Sequence, residues 1–200
     1  ATSSLQSHSI PMLHIISRVD NSIPVYFLNT GYHFPETIEY RDRIAALLGI
    51  KVVDLKPSLP KHLQRDAQGK LYFTSDPDLC CYLNKVQPLE PVLAEKDVWI
   101  TGVRRDQNDN RDAMHYEEEA PQNTVRYHPM LDFDKKMIVR YLKEYDLPRH
   151  PLEMKGYVSI GCEPCTKRVD PDMIGSERDG RWTGLNKNEC GLHTELMDKS

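Results

Sequence analysis

Short apolar runs of strand type alternate with helix-type patterns along most of this chain, and that alternation limits its fold more than any other feature. Residues 23–28 (IPVYFL), 51–55 (KVVDL), 98–101 (VWIT) and 124–128 (TVRYH) read as strands. Ile10, Leu13 and Ile16 recur at helical spacing, and Pro35 and Glu36 open a second helix that carries Ile38, Ile44, Leu47 and Leu48 and stops at Gly49. Residues 76–94 read as helical in part, interrupted at Pro88 and Pro91, and Asp132 is expected to cap a helix bearing Phe133, Met137, Ile138, Tyr141 and Leu142. Residues 104–122 are polar, highly charged and without apolar period, so they read as a mobile surface loop. Strands alternating with helices predict an α/β fold with a parallel sheet covered on both faces. In such sheets ligands bind outside the carboxyl ends of the strands, which nominates the loops 3–7, 29–34 and 102–111.

Two hundred residues suffice for one domain, or one domain with an appendage, without disulfide staples. A net charge of −4 and a sequence pI of about 6.1 exclude a generally cationic nucleic-acid coat but leave room for a local basic pocket. No apolar run approaches membrane-spanning length and no charged-then-apolar leader opens the chain, so a cytoplasmic protein with neither membrane nor nucleic acid as partner is expected. The chain opens at Ala1 directly in a polar loop, and the strand expected before that loop is missing, which reads as an N-terminal truncation.

Five cysteines divide as four plus one. Cys162 and Cys165 form a C-x-x-C, Cys80 and Cys81 are adjacent, and Cys190 stands alone near the end. Two pairs in such a chain point to a four-thiolate metal site. Zinc accepts any tetrahedral thiolate set, but adjacent thiolates strain a single ion, whereas an iron–sulfur cubane offers each a separate iron; the spacing leans toward the cluster. Cys190, in a polar segment, reads as a reactive thiol whose pKa a neighbouring cation would lower.

Several segments together resemble the iron–sulfur branch of the assimilatory adenylylsulfate (APS) reductases, within the APS/PAPS reductase family. Glu189-Cys190-Gly191-Leu192-His193 resembles the family's catalytic ECGLH. Cys80-Cys81 with Lys85-Val86 and Pro88-Leu89 resembles its first cluster motif, and Tyr157-x-Ser159-Ile160-Gly161-Cys162-x-Pro164-Cys165-Thr166 its second. Thr101-Gly102-x-Arg104-Arg105-Asp106-Gln107 resembles the substrate loop, Asn29-Thr30-Gly31 with Phe34-Pro35-Glu36-Thr37 the nucleotide-side motif, and Arg178-Asp179-Gly180-Arg181-Trp182 the arginine-bearing segment before the tail. The order is kept over nearly the whole chain.

The resemblance implies an adenine nucleotide alpha hydrolase-like (PP-loop ATPase-like) parallel-sheet domain over 1–148 and a cluster-binding segment with an irregular catalytic tail over 149–200. It implies reduction of APS to sulfite and AMP in sulfate assimilation, toward cysteine biosynthesis. The Cys190 thiol attacks the sulfur to give an S-sulfocysteine, which thioredoxin or a similar dithiol then releases as sulfite. A [4Fe-4S] cluster would sit on Cys80, Cys81, Cys162 and Cys165. Ser3 and Ser4 would meet phosphate, Asn29, Thr30 and Gly31 would line the nucleotide, and Lys85, Arg104, Arg105, Arg178 and Arg181 would screen the anion. His193 would bind phosphate or lower the thiol pKa. Two departures stand out: residues 3–7 contain no glycine, and Asn84 occupies a position that is usually basic. A PAPS reductase is the nearest alternative, but such enzymes generally lack both cysteine pairs. An ATP-using enzyme of the parent fold would carry a Ser-Gly-Gly loop, and a zinc-stabilised binding module fits the acidic charge poorly. Homo-oligomerisation stays open.

Overall fold

The computed structural model describes residues 1–170, Asp172, 174–175, 178–182 and Leu192. Its elements are α1 (Ile10–Val19), β1 (Val25–Leu28), α2 (Pro35–Leu48), β2 (Val52–Leu55), α3 (Tyr72–Ser75), α4 (Pro77–Cys81), α5 (Gln87–Leu93), β3 (Val98–Ile100), α6 (Asp109–Asp112), β4 (Glu117–Ala120), β5 (Thr124–Tyr127) and α7 (Lys135–Glu144). Strands β1 and β2 pair in parallel, as do β3 and β5, while β4 adds to β5 in antiparallel fashion. The first residues of the chain join the two groups. Thr2 bridges both Tyr26 and Thr101 in parallel, its N–H donating to the Ile100 carbonyl at 3.0 Å while Tyr26 N–H donates to the Ala1 carbonyl at 2.8 Å. The order across the fold is thus β2, β1, Ala1–Thr2, β3, β5, β4.

The parallel α/β expectation holds, because the strand runs alternate with helices whose apolar faces are buried. The main core joins α1 (Ile10, Leu13), β1 (Val25, Phe27), α2 (Ile44) and α7 (Ile138, Leu142). A second cluster, Val86, Leu89, Leu93, Trp99 and Ala120, packs α5 against the other half of the sheet. Gly49 stops α2 as expected, at φ 62°, a left-handed conformation that only glycine adopts without strain.

Three local expectations are corrected. Residues 77–93 wind without a break, since a widened π turn over Tyr82–Val86 joins α4 to α5. Pro88 directly follows the π turn, where Gln87 N–H donates to the Tyr82 carbonyl and the regular ladder is already shifted, and Pro91 lies only two residues before α5 ends. The capping residue of α7 is Asp134, whose carboxylate accepts from Met137 N–H at 2.7 Å. Asp132 is instead drawn to Arg105 Nε (2.9 Å) and the Tyr116 hydroxyl (2.6 Å). Finally, residues 104–122 do not form a surface loop. They contain α6 and β4, and they bury Arg104, Gln107, Arg111 and Met114. Their lack of apolar period reflects a lining of guanidinium and amide groups, which hydrogen bonds hold inside the protein.

Candidate functional site

The loops at the carboxyl ends of β1 and β3 enclose a cavity of about 470 Å³, within the usual range for a small-molecule site. Its floor comes from Ser3, Ser4, Gln6 and Ser7, the connection between the first bridging residues and α1. That connection has no glycine, yet it makes the turn a glycine would make. Leu5 adopts φ 52°, with its N–H on Ser3 Oγ at 3.0 Å and its side chain fully buried. The left-handed backbone costs roughly 1–2 kcal/mol, and burial of a leucine offsets it with about 1.5–3 kcal/mol. Residues beyond 148 close the far wall: Ile160 N–H donates to Gln6 Oε1 and His150 N–H to Ser7 Oγ, both at 2.8 Å.

Four of the five nominated cations line this cavity: Lys85, Arg104, Arg178 and Arg181. Arg104 is wholly buried and held by a two-point pairing with Asp106, Nε to Oδ1 at 2.9 Å and Nη2 to Oδ2 at 3.2 Å. Arg105, its neighbour, points elsewhere. It binds Asp132 and donates to the carbonyls of Asp112 (2.8 Å) and Met114 (2.6 Å), bracing the connection between β3 and β4. Arg178 and Arg181 both lie over the Trp182 ring, 5.1 and 4.4 Å from its centroid. Their hairpin turns at Gly180 (φ 81°), where a Cβ would collide with the Lys167 carbonyl.

His8, Gln107, Arg111 and Trp182, to which the sequence assigned no site role although Gln107 and Trp182 stand in its motifs, also line the cavity. Arg111, on α6, donates to Gln107 Oε1 across the extended Asn108, and both fall in the loop 102–111 that the sheet edge nominates. His8 sits amid Arg104, Arg111 and Arg178; burial first, then those three charges, push its pKa down to about 3, so it is neutral near pH 7. The cavity is therefore electropositive without any charge from imidazole.

Asn29, Gly31 and Thr30 do not line the large cavity. Asn29 Nδ2 binds Asp54 at 2.7 Å and its Oδ1 accepts from Gly31 N–H at 3.3 Å, which shapes the loop after β1. Thr30 instead faces a second, small cavity of about 20 Å³, lined by Cys80, Cys81, Cys162 and Cys165 together with Tyr32, Asn84, Lys85 and Trp182. The four thiols, separated by some eighty residues of chain, thus meet in one place. Thr30 Oγ1 lies 3.3 Å from Cys162 Sγ, and Asn84 Nδ2 donates to Cys80 Sγ at 3.6 Å. Asn84, where a basic residue was expected, serves as a buried amide donor that also holds Gln64 Oε1 at 2.6 Å. Burial and the nearby Cys162 and Cys165 push the Cys80 thiol up to about 11, with Lys85 and Asn84 opposing. Thiolates gathered in one small buried cavity are a site whose charge a metal group would balance. Among the described residues, no three His, Cys, Asp or Glu side chains are arranged to hold a single ion. Cys190 and His193 lie outside the described residues.

The structure is thus a parallel α/β sheet with a cation-lined cavity at its carboxyl edge, abutted by a small cavity lined by four thiols. Residues 1–168 match the model of the phosphoadenosine phosphosulfate reductase domain. The chain is 40% identical over 193 residues to an adenosine 5′-phosphosulfate reductase of Chelativorans sp., covering 96% of this chain and 77% of that protein. Its fold is similar to that of phosphoadenylyl-sulfate (PAPS) reductase from Candida auris, with a TM-score of 0.68, 23% identity, and coverage of 84% of this chain and 81% of that one. It is also similar to FMN adenylyltransferase from Candida glabrata, with a TM-score of 0.61, 12% identity, and coverage of 100% of this chain and 65% of that one. The chain belongs to the phosphoadenosine phosphosulfate reductase family, and the PP-loop-like fold expected from its motifs is the fold it has. Among the described residues, no helix is long and apolar enough to cross a membrane.

Proposed function

We propose that this protein reduces adenylylsulfate to sulfite and AMP in assimilatory sulfate reduction, with Cys190 as nucleophile. The observation that carries the reading is the convergence of Lys85, Arg104, Arg178 and Arg181 with the hydroxyls of Ser3 and Ser4 on one cavity of nucleotide size. The identity to an adenosine 5′-phosphosulfate reductase supports the substrate. Ser3 and Ser4 hold the adenylate phosphate at the approach to α1. The four cations screen the sulfate oxygens, so that a thiolate can approach sulfur.

The Cys190 thiolate attacks that sulfur, and the bond from sulfur to the bridging phosphate oxygen breaks with its electron pair leaving on AMP. Cys190 then carries a thiosulfonate. A thiolate of thioredoxin or a similar dithiol attacks Cys190 Sγ, sulfite departs with the S–S electron pair, and the second thiol resolves the mixed disulfide. The two electrons come from the dithiol, which ends as a disulfide. His193 assists by holding phosphate or by lowering the Cys190 pKa. A partner of this kind places the reaction in a reducing compartment, the cytoplasm.

Cys80, Cys81, Cys162 and Cys165 are the residues that would hold a [4Fe-4S] cluster. Their shared cavity supports this reading, as does the presence of adjacent Cys80 and Cys81, each of which a polynuclear cluster can take on a separate iron. When bound, the cluster supplies structural closure and a charged body beside Lys85, which lines both cavities. Residues 1–148 then serve as the nucleotide domain and 149–200 as cluster segment and catalytic tail.

Incubation with adenylylsulfate alone, followed by intact mass measurement, is expected to show one sulfite-sized adduct that maps to Cys190 and is absent from Cys190→Ser. An unmodified wild-type chain, or a strong preference for the 3′-phosphorylated nucleotide, would overturn the assignment.

A further inference from the structure

Strand β5 carries a buried cation that lines neither cavity. Arg126 is 1% exposed and stands in register with Trp99 of β3 on one side and Glu118 of β4 on the other. Its guanidinium lies 4.4 Å over the Trp99 ring, and Trp99 Nε1–H donates to Thr2 Oγ1 at 2.8 Å, so the indole is fixed against the sheet. Burying a guanidinium is costly unless its donors are used, and stacking on an aromatic face is one way in which arginine accepts desolvation. One of those donors leaves the sheet: Arg126 Nη2 reaches the carbonyl oxygen of Leu192 at 3.3 Å.

Leu192 has a second, independent hold. Its side chain packs against the cluster of Val86, Leu89, Leu93, Trp99 and Ala120, and it contributes to the wall of the large cavity. Leu192 is two residues from Cys190, and two peptide units span at most about 7 Å. Whatever seats Leu192 therefore limits how far the Cys190 backbone can be from the cavity wall.

We propose that Arg126, stacked on Trp99, is a positioning residue that seats the C-terminal segment at Leu192 and so sets the approach of the Cys190 thiol to the bound nucleotide. The role in chemistry rests on the function proposed above; the seat itself does not. Arginine suits the task because its planar fork stacks and donates at once, which a lysine ammonium does not do.

Two variants of the full chain test this, Arg126→Lys and Leu192→Ala, the second altering only the seated residue. Limited trypsinolysis without nucleotide, followed by intact mass, reads the seat. Cleavage after Lys187 is expected to accelerate about tenfold in both variants, through the altered hydrogen bond to the Leu192 carbonyl in Arg126→Lys and through the lost side-chain packing in Leu192→Ala, which keeps that carbonyl, while cleavage after Lys70 keeps the wild-type rate. With adenylylsulfate, both variants are expected to form the Cys190 adduct about tenfold more slowly, and Arg126→Lys, at a residue that lines neither cavity, is expected to leave AMP affinity unchanged. Unchanged cleavage after Lys187 in Leu192→Ala overturns the proposal, as does acceleration shared equally with Lys70, which would mark a general loosening. If Arg126→Lys does not fold, Arg126→Gln, which loses the stacked guanidinium but keeps an amide donor, takes its place under the same two readouts. A wild-type chain that forms no adduct, with cleavage still responding as expected, would sink the reductase reading and leave the seat standing.

Discussion

The two cavities of this protein share a wall yet differ in kind. The larger, about 470 Å³, is lined by hydroxyls and by the cations Lys85, Arg104, Arg178 and Arg181. The smaller, about 20 Å³, is lined by four thiols, with a buried amide and a threonine hydroxyl directed at their sulfurs. Lys85, Cys162, Arg181 and Trp182 belong to both. On the function proposed above, the contrast is that between a chamber for a ligand that enters and leaves and one for a group that stays. An exchangeable anion needs room and positive charge that is already in place. A resident group needs soft ligands, closure and donors to its ligands. One lysine between them lets the permanent site contribute to the field of the exchangeable one.

Removing one thiol should break the comparison most severely. Cys165→Ser is expected to lose iron and labile sulfide together with the visible absorbance, while Cys190→Ser keeps all three; full metal content in Cys165→Ser would contradict the assignment of the small cavity. Next in size is a pair of adjacent arginines. Arg104→Gln should lower turnover by roughly 10²-fold, since it removes a preorganised cation from the large cavity. Arg105→Gln should leave turnover within a few-fold and cost about 1 kcal/mol or less in denaturant stability, because its partner Asp132 is mostly solvated. Equal losses at the two positions would show that the cavity is drawn wrongly.

The smallest effect concerns the wall rather than the contents. His150 is buried, with Leu152 N–H donating to Nδ1 at 3.2 Å and Nε2 lying 3.1 Å from Thr37 Oγ1, a pattern that uses the neutral ring. Burial pushes its pKa down to about 4 from 6.5. A depressed histidine contributes stability that is fully present above its unfolded pKa and is lost as pH falls toward the folded one. The melting temperature should therefore drop between about pH 6.5 and 4, and His150→Gln should flatten that part of the profile. Because His8 and His33 are also pushed down by burial, His150→Gln should remove a part of the slope rather than all of it.

Much of the fold was legible because its signals are local. Alternation of strand and helix patterns, Pro35 at a helix start and Gly49 at a helix end each act within a few residues. The pairing of the cysteines was legible for a similar reason, since ligand type and spacing are chemical statements that need no fold. The orientation of Arg104 and Arg105 was not, because two identical neighbours differ only in whether Asp106 or Asp132 captures them. The burial of Arg104, Gln107 and Arg111 within residues 104–122 was hidden for a related reason: paired guanidinium and amide groups have the same composition as a solvated loop. Asp132 and Asp134 exchanged their expected duties because a cap is chosen by the direction in which the chain arrives, not by residue type.

The sequence by itself determined the kinds of chemistry available, namely four thiols in two pairs, one further thiol, and clustered cations on an α/β frame. Only the tertiary structure decided which of these meet. Ala1 and Thr2 link β1 to β3, Leu5 makes the turn that a glycine would otherwise make, and residues 149–168 fold back to bring Cys162 and Cys165 to Cys80 and Cys81. Those outcomes depend on contacts between residues far apart in the chain, where burial and hydrogen bonding outweigh any local preference.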